Sequence, residues 1–558
     1  MTSTEHATLE HLFAQAHEQL AAGDAHAALA FARQAWELAP READCSNLIG
    51  VCAIALGDDT TALQCWRHAI ALNPQTVEAR GNLARHFTKS GRTDEAEACL
   101  REAIALAPAR ADFHLLLGHL LAARKDTEAA ASYGHALTLD AGLADAWGNL
   151  ALLLEREKRW NEAEAHHRRA LELAPNSVEI HLNLGNLLAR LRRSEEAERA
   201  YRQALVLHPA SAVAYSNLGV LQADLRQDVQ AEQSLRHALQ LRPGYQLARH
   251  NLAMLLLTHG RLEEGWPLFE ARHHPDLPSA DASLPPLPGR QWQGEPLEGK
   301  SLLIWPEQGY GDMIQFCRYV PLMQRAGATR IDLVCRKAQV ELLKTLEGVD
   351  RVVALDEADA IVGTHDYWAL PMSLPLHHGT TLSAIPARLP YLHAPEDRRA
   401  RWRERLAADG KKIGLAWRGN GHHANDARRS LPDFSLLTPL LSVPGARFYS
   451  LQLGTQESLP AQVTDLGAHI DDFADSAAII EQLDLLITVD TAIAHTAGAL
   501  GKPCWIMLPA YRSDWRWLRA RGDSPWYPGV VRLYRQDEGE NWETVVSRIA
   551  QDLPAFLG

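Results

Sequence analysis

The chain has 558 residues, 46% of them hydrophobic, and a formal net charge of −13. This composition excludes a mainly disordered protein, and so acidic a chain is a poor candidate for sequence-independent nucleic-acid binding. The sequence has no apolar run long enough to span a membrane and begins without the features of a secretory signal. Its seven scattered cysteines, an odd number with no CxxC pair, favour reduced thiols. We therefore expect a cytoplasmic protein.

A repeat with a period of 34 residues fills the first half of the sequence. Prolines keep this period in two sets, with Ala141 in the place of the proline between them: Pro40, Pro74, Pro108, Pro175, Pro209 and Pro243. Small residues follow the same spacing: Ala16, Gly50, Ala84, Gly118, Ala151, Gly185, Gly219 and Ala253. A second series of small residues follows the first, 12 positions later in most repeats but 11 positions later in the fourth, where Ala129 follows Gly118. We therefore predict that one residue is missing near 124–126.

The repeat predicts two antiparallel helices per unit. Alanine or glycine lets the helices approach closely, apolar residues at helical spacing fill the stacking faces, and proline ends the second helix. The pattern resembles the tetratricopeptide repeat, with seven full units from about residue 9 to residue 244 and an eighth helix pair ending near His273. The resemblance implies an all-α superhelix over residues 1–273 with a concave groove that binds a protein or peptide.

Asparagine recurs two residues before the first small position of five repeats: Asn82, Asn149, Asn183, Asn217 and Asn251. Asparagine is a mediocre helix former, and a primary amide can donate to and accept from a peptide backbone at once. One interpretation is a ladder that holds an extended acceptor chain, as in the eukaryotic O-linked N-acetylglucosamine transferases, which this position resembles. The alternative is that these side chains tie neighbouring repeats together.

Residues 274–299 predict an extended linker because the repeat stops and prolines accumulate. The prolines are Pro275, Pro278, Pro285, Pro286, Pro288 and Pro296. A large apolar side chain in such a segment needs a place to be buried. We therefore expect Trp292 to anchor the linker to a neighbouring element.

The remaining sequence alternates predicted strands with predicted helices. The strands are 301–305, 330–335, 352–355, 367–370, 412–417, 447–451, 485–488, 504–508 and 532–535. Several are continuous apolar runs, which favours parallel strands buried on both faces, and the alternation favours βαβ units. Helices are expected at 311–326, 339–346 and 491–500. A charged helical stretch at 396–409 separates two Rossmann-like halves, 300–395 and 396–558, and a returning helix covers 542–557.

Polar residues follow the first strand of each predicted half, where open parallel sheets bind ligands. After the first strand come Gln308, Gly311 and Asp312 at the start of a helix. Asp312 is read either as a helix cap or as a general base. The corresponding loop of the second half contains Arg418, Asn420, Arg428, Arg429 and Ser430. These arginines suit a diphosphate, although a solvated surface loop is the alternative.

Three further candidates follow the predicted strand at 485–488. Asp490 or Thr491 would cap a helix of small residues, whose free N–H groups and dipole favour an anion. His495 lies on the same side one turn later, although a single histidine of this kind is more often structural. The next loop is aromatic, with Trp515, Trp517, Trp526 and Tyr527. These rings either stack on a donor base or sugar or form a hydrophobic wall between the halves, and the wall is slightly favoured.

These motifs resemble the glycosyltransferase-B superfamily, and in particular bacterial tetratricopeptide proteins with a heptosyltransferase-like domain. The motifs are EQGYGD at 307–312, LAWRGN at 415–420, RRS at 428–430, DTAIAHTAGALGKP at 490–503 and DWRWLRARGDSPWYPGVVRLYRQ at 514–536. The resemblance implies an acceptor side at 300–395 and a nucleotide-sugar side at 396–558. It makes Asp312 the base and places the donor diphosphate at 490–495. Arg428 or Arg429 would replace a phosphate-binding lysine of heptosyltransferases, and Ala492 stands where they have glycine.

The resemblance therefore implies an inverting, metal-independent glycosyltransferase. It would move a sugar from a nucleotide-sugar to Ser or Thr hydroxyls of a protein in the repeat groove, and flagellin is one acceptor that this architecture suggests. No cofactor is expected beside the donor, and the pair His422 and His423 lacks the further ligands that a metal site needs. Two alternatives stay open: an interaction scaffold with a degenerate transferase domain, and a transferase with a glycolipid acceptor. The long repeat groove and the lack of a basic amphipathic membrane helix weigh against the second alternative.

Overall fold

The computed structural model describes residues 3–277, 284–407, 409–421, 425–537 and 539–558. Pro278 of the predicted linker and the pair His422 and His423 lie outside these residues. The chain divides into two compact units, Met1–Ala214 and Tyr215–Gly558. None of the helices in the described ranges is both long and apolar enough to cross a membrane. All seven cysteines are free thiols.

Sixteen α-helices in eight consecutive pairs occupy the described residues from 3 to 269, which confirms the predicted all-α repeat. They are Ser3–Ala21, Ala25–Leu38, Ala43–Ala55, Asp59–Leu72, Val77–Lys89, Thr93–Leu106, Ala111–Ala123, Ala129–Leu139, Ala144–Arg156, Trp160–Leu173, Val178–Arg190, Ser194–Leu207, Ala212–Asp224, Asp228–Leu241, Gln246–Thr258 and Leu262–Phe269. The boundary between the two units falls inside the helix Ala212–Asp224. The first unit is therefore built from these helix pairs alone.

Each helix pair turns on one residue with a left-handed backbone, φ between 57° and 82°. The eight residues are Gly23, Gly57, Gly91, Lys125, Lys158, Arg192, Arg226 and Gly260. In the fourth pair the left-handed residue keeps its place, but the second helix begins only at Ala129 and has 11 residues, where its neighbours have 14. The missing residue therefore lies between Lys125 and Ala129, in the turn between the two helices as predicted.

Glycine in the first helix of a pair makes room for a ring of the second helix. A Cβ on Gly50 would lie 2.5 Å from the indole of Trp66, and a Cβ on Gly185 would lie 2.5 Å from the ring of Tyr201. Both distances are far below van der Waals contact. Small residues in this series thus accommodate bulky partners as well as close backbones, which the periodicity alone does not indicate.

Two all-parallel sheets form the core of the second unit beyond the repeats. The first contains β1 (Arg290–Gln291), β2 (Ser301–Ile304), β3 (Arg330–Cys335), β4 (Arg351–Ala354) and β5 (Tyr367–Ala369), in the order β1-β5-β2-β3-β4. The second contains β6 (Lys411–Ala416), β7 (Ala446–Ser450), β8 (Val463–Asp465), β9 (Leu485–Val489), β10 (Cys504–Leu508) and β11 (Val531–Arg535), in the order β11-β10-β9-β6-β7-β8. The strand pairings within both sheets are parallel, as predicted.

The direction of chain winding reverses once in each sheet. Counted from β6, the second sheet has the doubly wound order 3-2-1-4-5-6, and the reversal lies between β6 and β9. In the first sheet the corresponding reversal lies between β2 and β5. Open parallel sheets bind ligands in the crevice outside the carboxyl ends of their strands at such a point. The fold therefore directs attention to the residues that follow β2, β5, β6 and β9.

Helices flank both sheets. The α-helices are Tyr310–Phe316, Val320–Arg325, Val340–Leu343, Leu374–His377, Glu396–Arg403, Asp426–Arg429, Phe473–Glu481, Ala492–Ala499 and Trp542–Leu557. The predicted helix at 311–326 is broken by the 3₁₀ turn Cys317–Tyr319, just before Pro321, which lacks the N–H that a continuing helix needs. The charged helix is also shorter than predicted, ending at Arg403, whereas the returning helix at 542–557 is confirmed.

Part of the predicted linker belongs to the first sheet. Arg290–Gln291 pairs with β5 as its edge strand, and the backbone N–H of Trp292 donates to the carbonyl of Trp368 at 2.8 Å. The indole of Trp292 is buried and donates to the carbonyl of Glu295 at 2.8 Å. The expected anchoring by Trp292 is thus confirmed. The domain boundaries themselves stay a prediction.

Candidate functional site

Side chains from the carboxyl edges of both sheets meet at Arg516. This arginine lies in the loop after β10, and its guanidinium donates to Oδ1 of Asp312, which follows β2. It also donates to Oδ2 of Asp514 at 2.8 Å and contacts the sulfur of Met372, which follows β5, at 3.3 Å. The residues that follow β2 and β5, where the winding of the first sheet reverses, therefore contact the loop after β10 of the second sheet directly.

Asp312 stands in the first turn of the helix Tyr310–Phe316. Its Oδ2 accepts a hydrogen bond from the N–H of Gly309 at 2.6 Å, so the capping role is confirmed. Burial raises the pKa of this carboxyl, while the guanidinium of Arg516 and the N–H of Gly309 oppose that rise. Each carboxylate oxygen keeps a second lone pair beyond these bonds. The cap therefore leaves Asp312 able to accept a proton.

Asp490 directly follows β9 and has a perturbed pKa. Burial, with a contribution from the nearby carboxylate of Asp514, raises the pKa of its carboxyl to about 6. The indole of Trp517 and the guanidinium groups of Arg429 and Arg516 favour the ionised form and limit the shift. A carboxyl group that titrates close to neutral pH in a crevice is characteristic of functional sites, although buried ion-pair networks also produce one.

Positive charge accumulates at the same edge of the second sheet. Arg535, the last residue of β11, donates to the carbonyl of Trp517 at 2.6 Å. Burial and repulsion from Arg226 and Arg519 together lower the pKa of Arg535 to about 10, and attraction by Asp490 opposes the change. Arginines that repel one another while partly buried favour the binding of an anion.

Contacts with neighbouring segments of the second unit hold the side chain of Arg418. Its guanidinium forms an ion pair with Glu457 at 2.6 Å, and it donates to the carbonyls of Leu431, at 3.2 Å, and Pro432. The loop after β6 is held in shape by these contacts. A direct phosphate contact by Arg418 stays a prediction.

Ser430 and Arg429 pack against the backbone of the same loop. The hydroxyl of Ser430 accepts from the N–H of Gly419 and donates to the carboxylate of Asp426, both at 2.9 Å. A Cβ on Gly419 would lie 2.8 Å from the guanidinium of Arg429, which is largely buried and belongs to the charges around Asp490. Asn420 is exposed at the tip of the loop. Of these predicted residues, Arg429 is the one that the structure brings to Asp490.

Gly311 and His495 form a tight contact between the two sheets' helices. A Cβ on Gly311 would lie 2.8 Å from Cδ2 of His495, so only glycine fits there. Nδ1 of His495 is 2.9 Å from the hydroxyl of Tyr527, and its ring stacks on Trp517 with centroids 5.2 Å apart. Burial lowers the pKa of His495 well below its usual range, and the imidazole is neutral. Both residues pack in the interior, and a donor contact from either stays a prediction.

Gln308 and Thr491 occupy the two loops on either side of this contact. Gln308 is exposed, and its carbonyl accepts from Arg336 at 2.9 Å. Thr491 stands at the N-cap of the helix Ala492–Ala499 but makes no side-chain capping bond. Its hydroxyl donates to the carbonyl of Val489 at 3.4 Å instead. Thr491 therefore does not occupy the first N–H groups of that helix with its own side chain.

The aromatic residues of the loop after β10 form a wall and not an open stacking surface. Trp515, Trp517, Trp526 and Tyr527 are each at most 2% exposed. Trp515 packs edge-on against Trp266 of the last repeat helix, with ring centroids 5.3 Å apart, and stacks near Phe316 of the first sheet's domain at 6.5 Å. The favoured interpretation as a hydrophobic wall is thus confirmed.

Residues of the repeats hold the loop that carries Arg516. The hydroxyl of Tyr511 donates to the carboxylate of Asp224 at 2.7 Å, and the guanidinium of Arg512 donates to the same carboxylate at 2.9 Å. Arg428 covers the other face of the Tyr511 ring, 4.7 Å from its centroid. Arg512 has a left-handed backbone with φ of 52°, a conformation that needs support from its surroundings. Asp224 supplies part of that support.

Some asparagines of the predicted ladder contact the neighbouring repeat. Nδ2 of Asn82 donates to Asn47 of the preceding repeat at 2.9 Å, and Nδ2 of Asn149 lies 3.3 Å from the imidazole of His119. The alternative that asparagines tie neighbouring repeats together is confirmed at these two positions. Asn149 and Asn183 also line a groove of about 470 Å³ in the first unit. Asn217 and Asn251 are half-buried in the second unit.

Sequence reasoning did not single out Arg516, Asp514 and Arg535 as site residues. The available signal was position, because Asp514 and Arg516 follow the buried strand β10 and Arg535 ends β11. All three lie inside the motif at 514–536 that carried the resemblance. Within the described ranges, no group of three or more His, Cys, Asp or Glu side chains is placed to hold a metal ion.

Comparison with known proteins identifies the repeats. Models of the tetratricopeptide repeat match residues 60–120, 142–207 and 182–246. The chain therefore carries tetratricopeptide repeats, which form protein-interaction scaffolds. It is also similar to Protein FlbA of Caulobacter vibrioides, with 31% identity over 335 residues, which are 54% of this chain and 54% of that protein. The chain thus spans about half the length of the curated relative that it matches.

Similar solved structures are repeat proteins of low sequence identity. YrrB, described as a TPR protein with an unusual peptide-binding site, is 24% identical; the match covers 34% of this chain and 98% of YrrB, with a TM-score of 0.30. A tetratricopeptide repeat protein from Parabacteroides merdae is 14% identical; the match covers 45% of this chain and 99% of that protein, with a TM-score of 0.36. The structure of the Cut9–Hcn1 hetero-tetramer is 18% identical; the match covers 43% of this chain and 48% of that chain, with a TM-score of 0.38.

Proposed function

We propose that the chain is an inverting, metal-independent glycosyltransferase with a glycosyltransferase-B arrangement of its two parallel sheets. The observation that carries the proposal is the meeting of Asp312, Asp514 and Arg516, with Asp490 beside them, at the carboxyl edges of both sheets. Doubly wound sheets bind nucleotides at this edge. The motifs at 307–312 and 490–503 support the same interpretation, because they resemble those of heptosyltransferases.

In this proposal the donor diphosphate lies at the edge of the second sheet. Arg429 and Arg535 supply positive charge there, and the first N–H groups of the helix Ala492–Ala499 add donors. Both features stabilise the negative charge that develops on the leaving nucleoside diphosphate as its bond to the anomeric carbon breaks. Sequence reasoning offered Arg428 as an alternative to Arg429. The buried position of Arg429 beside Asp490 favours Arg429.

Asp312 acts as the base. An acceptor hydroxyl attacks the anomeric carbon from the face opposite the leaving group, and its proton passes to a free lone pair of the carboxylate. Burial raises the pKa of Asp312 and so makes it a stronger base, while Arg516 fixes its orientation. The bond from the sugar to the acceptor oxygen forms as the bond to the diphosphate breaks, which inverts the anomeric centre.

The repeats would present the protein acceptor, and flagellin is one candidate. A scaffold with an inactive second unit is the alternative, since the repeats alone account for protein binding. A glycolipid acceptor is a further alternative, although a groove built from tetratricopeptide repeats suits a polypeptide better. Transfer to Ser or Thr hydroxyls separates these possibilities.

Release of nucleoside diphosphate from a panel of UDP-, ADP- and GDP-sugars, and of CMP from CMP-sugars, tests the proposal. We expect the full chain to consume one class of donor. The Asp312→Asn variant should consume this donor at least 100-fold more slowly, because general-base catalysis contributes on the order of 10²–10⁴-fold. Asp356→Asn, an exposed carboxylate in the 3₁₀ segment Leu355–Ala360, is the matched control and should retain activity. Consumption of no donor would favour the scaffold, and an unimpaired Asp312→Asn variant would show that Asp312 is not the base.

A further inference from the structure

A groove of about 470 Å³ in the first unit follows one face of the helix Ala144–Arg156. The helix contributes five residues to it: Asp145, Gly148, Asn149, Leu152 and Arg156. Their spacing of three and four residues places them on the same side of the helix. At 1.5 Å per residue, the first and last are about 16 Å apart along the helix axis. The groove therefore has an acidic residue at one end and a basic residue at the other.

The acidic end consists of Asp145 and Glu179 from consecutive repeats. Both carboxylates are exposed, and neither forms an ion pair with any residue that the structure describes. The equivalent carboxylates of the two preceding repeats are neutralised, because Arg110 pairs with Asp112 at 2.8 Å and with Glu78 at 3.4 Å. The uncompensated charge thus distinguishes this groove from the two repeats directly before it.

The opposite end has two hydrogen-bond donors without an acceptor. Tyr133 is fully buried against Gly118, and among the described residues its hydroxyl has no hydrogen-bond partner. A buried hydroxyl without a partner is rare because it loses its bonds to water. Arg156 also lines this end, and it has no carboxylate partner within the described ranges. A phenol and a guanidinium together suit a carboxylate.

The middle of the groove suits a polypeptide backbone. Asn149 and Asn183 line it from consecutive repeats. Nδ2 of Asn149 is engaged by the carbonyl of Asp145 at 2.8 Å and by His119, so Asn149 offers its amide oxygen as an acceptor, whereas the primary amide of Asn183 has both a donor and an acceptor. Gly148 adds no side chain, and a Cβ there would meet only Ile180, at 3.8 Å. Extended chain rises about 3.3 Å per residue, so about five residues span the distance between the two charged ends.

We propose that this groove binds an extended protein segment in one direction. A basic side chain of the segment lies between Asp145 and Glu179, and an acidic side chain about five residues away accepts from Arg156 and the hydroxyl of Tyr133. The inference deepens the proposed function, because the segment would belong to the protein acceptor. The binding itself requires no glycosyl transfer and can be measured without it.

A soluble library of random twelve-residue peptides, incubated with the full chain and read by mass spectrometry, tests the proposal. Retained peptides should be enriched several-fold in a basic and an acidic residue about five positions apart, in one order along the chain. The double variant Asp145→Asn/Glu179→Gln should lose the basic preference, and Arg156→Gln should lose the acidic one. Glu172→Gln, which removes a carboxylate paired with Arg169 outside the groove, should change neither preference.

Tyr133→Phe separates ligand recognition from folding. This variant keeps the ring against Gly118 and removes only a hydroxyl that has no partner, so its melting temperature should not fall. It should nevertheless weaken the acidic preference. Retention of no peptides, absence of the paired charges, or equal selection by wild type and the groove variants would overturn the proposal. Nucleotide binding measured on the same variants shows whether the second unit is intact, so failure here is distinguishable from failure of the proposed transferase.

Discussion

The guanidinium of Arg516 and the carboxylate of Asp312 form an ion pair that joins the carboxyl edge of one parallel sheet to that of the other. Their side chains are 8% and 14% exposed. The pair combines two roles, because it contributes to holding the sheets together and it orients the carboxylate that we propose as the base. A contact of this kind is strongly destabilised when only one partner is removed, since the other is left buried and charged.

Arg516→Ala should therefore lower the free energy of unfolding by about 3 kcal/mol or more. Adding Asp312→Asn to this variant removes the uncompensated charge and should recover part of the loss. Urea denaturation followed by tryptophan fluorescence measures both effects. Strictly additive losses in the double variant would contradict a direct interaction between the two residues.

A substitution in the repeats tests why glycine recurs there. In Gly185→Ala the new Cβ would lie 2.5 Å from the ring of Tyr201, and overpacking of this kind costs about 1–3 kcal/mol. Tyr201→Leu makes space for the methyl group, so the double variant should be more stable than the two single losses predict. Thermal unfolding of the four proteins gives the coupling energy. Zero coupling would mean that the ring is not what requires glycine.

Much of this architecture is predictable because its signals are local or periodic. The strands 330–335 and 504–508 have the predicted limits, and the other predicted strands differ by one residue at one or both ends. Two short strands, Arg290–Gln291 and Val463–Asp465, were not predicted. Neither has an apolar run of its own, and each owes its strand conformation to pairing with a neighbour. Tertiary pairing of this kind leaves little trace in the local sequence.

The site was predictable in location but less so in detail. The rule that ligands bind at strand carboxyl ends brought Asp312 and Asp490 into consideration. The same rule suggested Arg418, which instead pairs with Glu457, a residue 39 positions further along the chain. Arg516 was missed because its partner Asp312 is 204 residues away. Which of several arginines faces a crevice depends on such long-range partners.

The contact of Asp224 with the loop at 509–518 predicts a change in protease sensitivity. Asp224→Asn weakens the bonds to Tyr511 and Arg512, so a loop whose backbone is left-handed at Arg512 should loosen. Limited trypsin digestion should then cleave after Arg512 several-fold faster than in the wild type. Asp140→Asn, which changes a carboxylate of the first unit, is the control. Unchanged cleavage would show that Asp224 does not hold the loop.

His378 predicts acid sensitivity of the second unit. Burial, with a contribution from His377, lowers the pKa of its imidazole from 6.5 to about 4. The rings of Trp292 and Tyr319 pack against it. The folded pKa is below the unfolded one, so the stability contribution is complete above pH 6.5. It decreases by at most about 1.4 kcal/mol per pH unit towards pH 4.

Thermal unfolding between pH 7.5 and pH 4.5 measures this effect. His378→Phe keeps an aromatic ring beside Trp292 and cannot take up a proton. The variant should therefore lose less stability on acidification than the wild type does. Parallel pH profiles of the two proteins would assign the acid sensitivity to other groups.

Nucleotide binding tests the central claim most directly. Isothermal titration of the full chain with UDP, CMP, ADP and GDP should give micromolar affinity for one of them. Asp490→Ala should abolish that binding because its carboxylate attracts Arg429 and Arg516 and so holds the arginines in position at the edge of the second sheet. Asp312→Asn should retain the binding because this residue acts on the acceptor. If no nucleotide binds the folded protein, or if Asp490→Ala binds as the wild type does, the second unit is not the transferase that we propose.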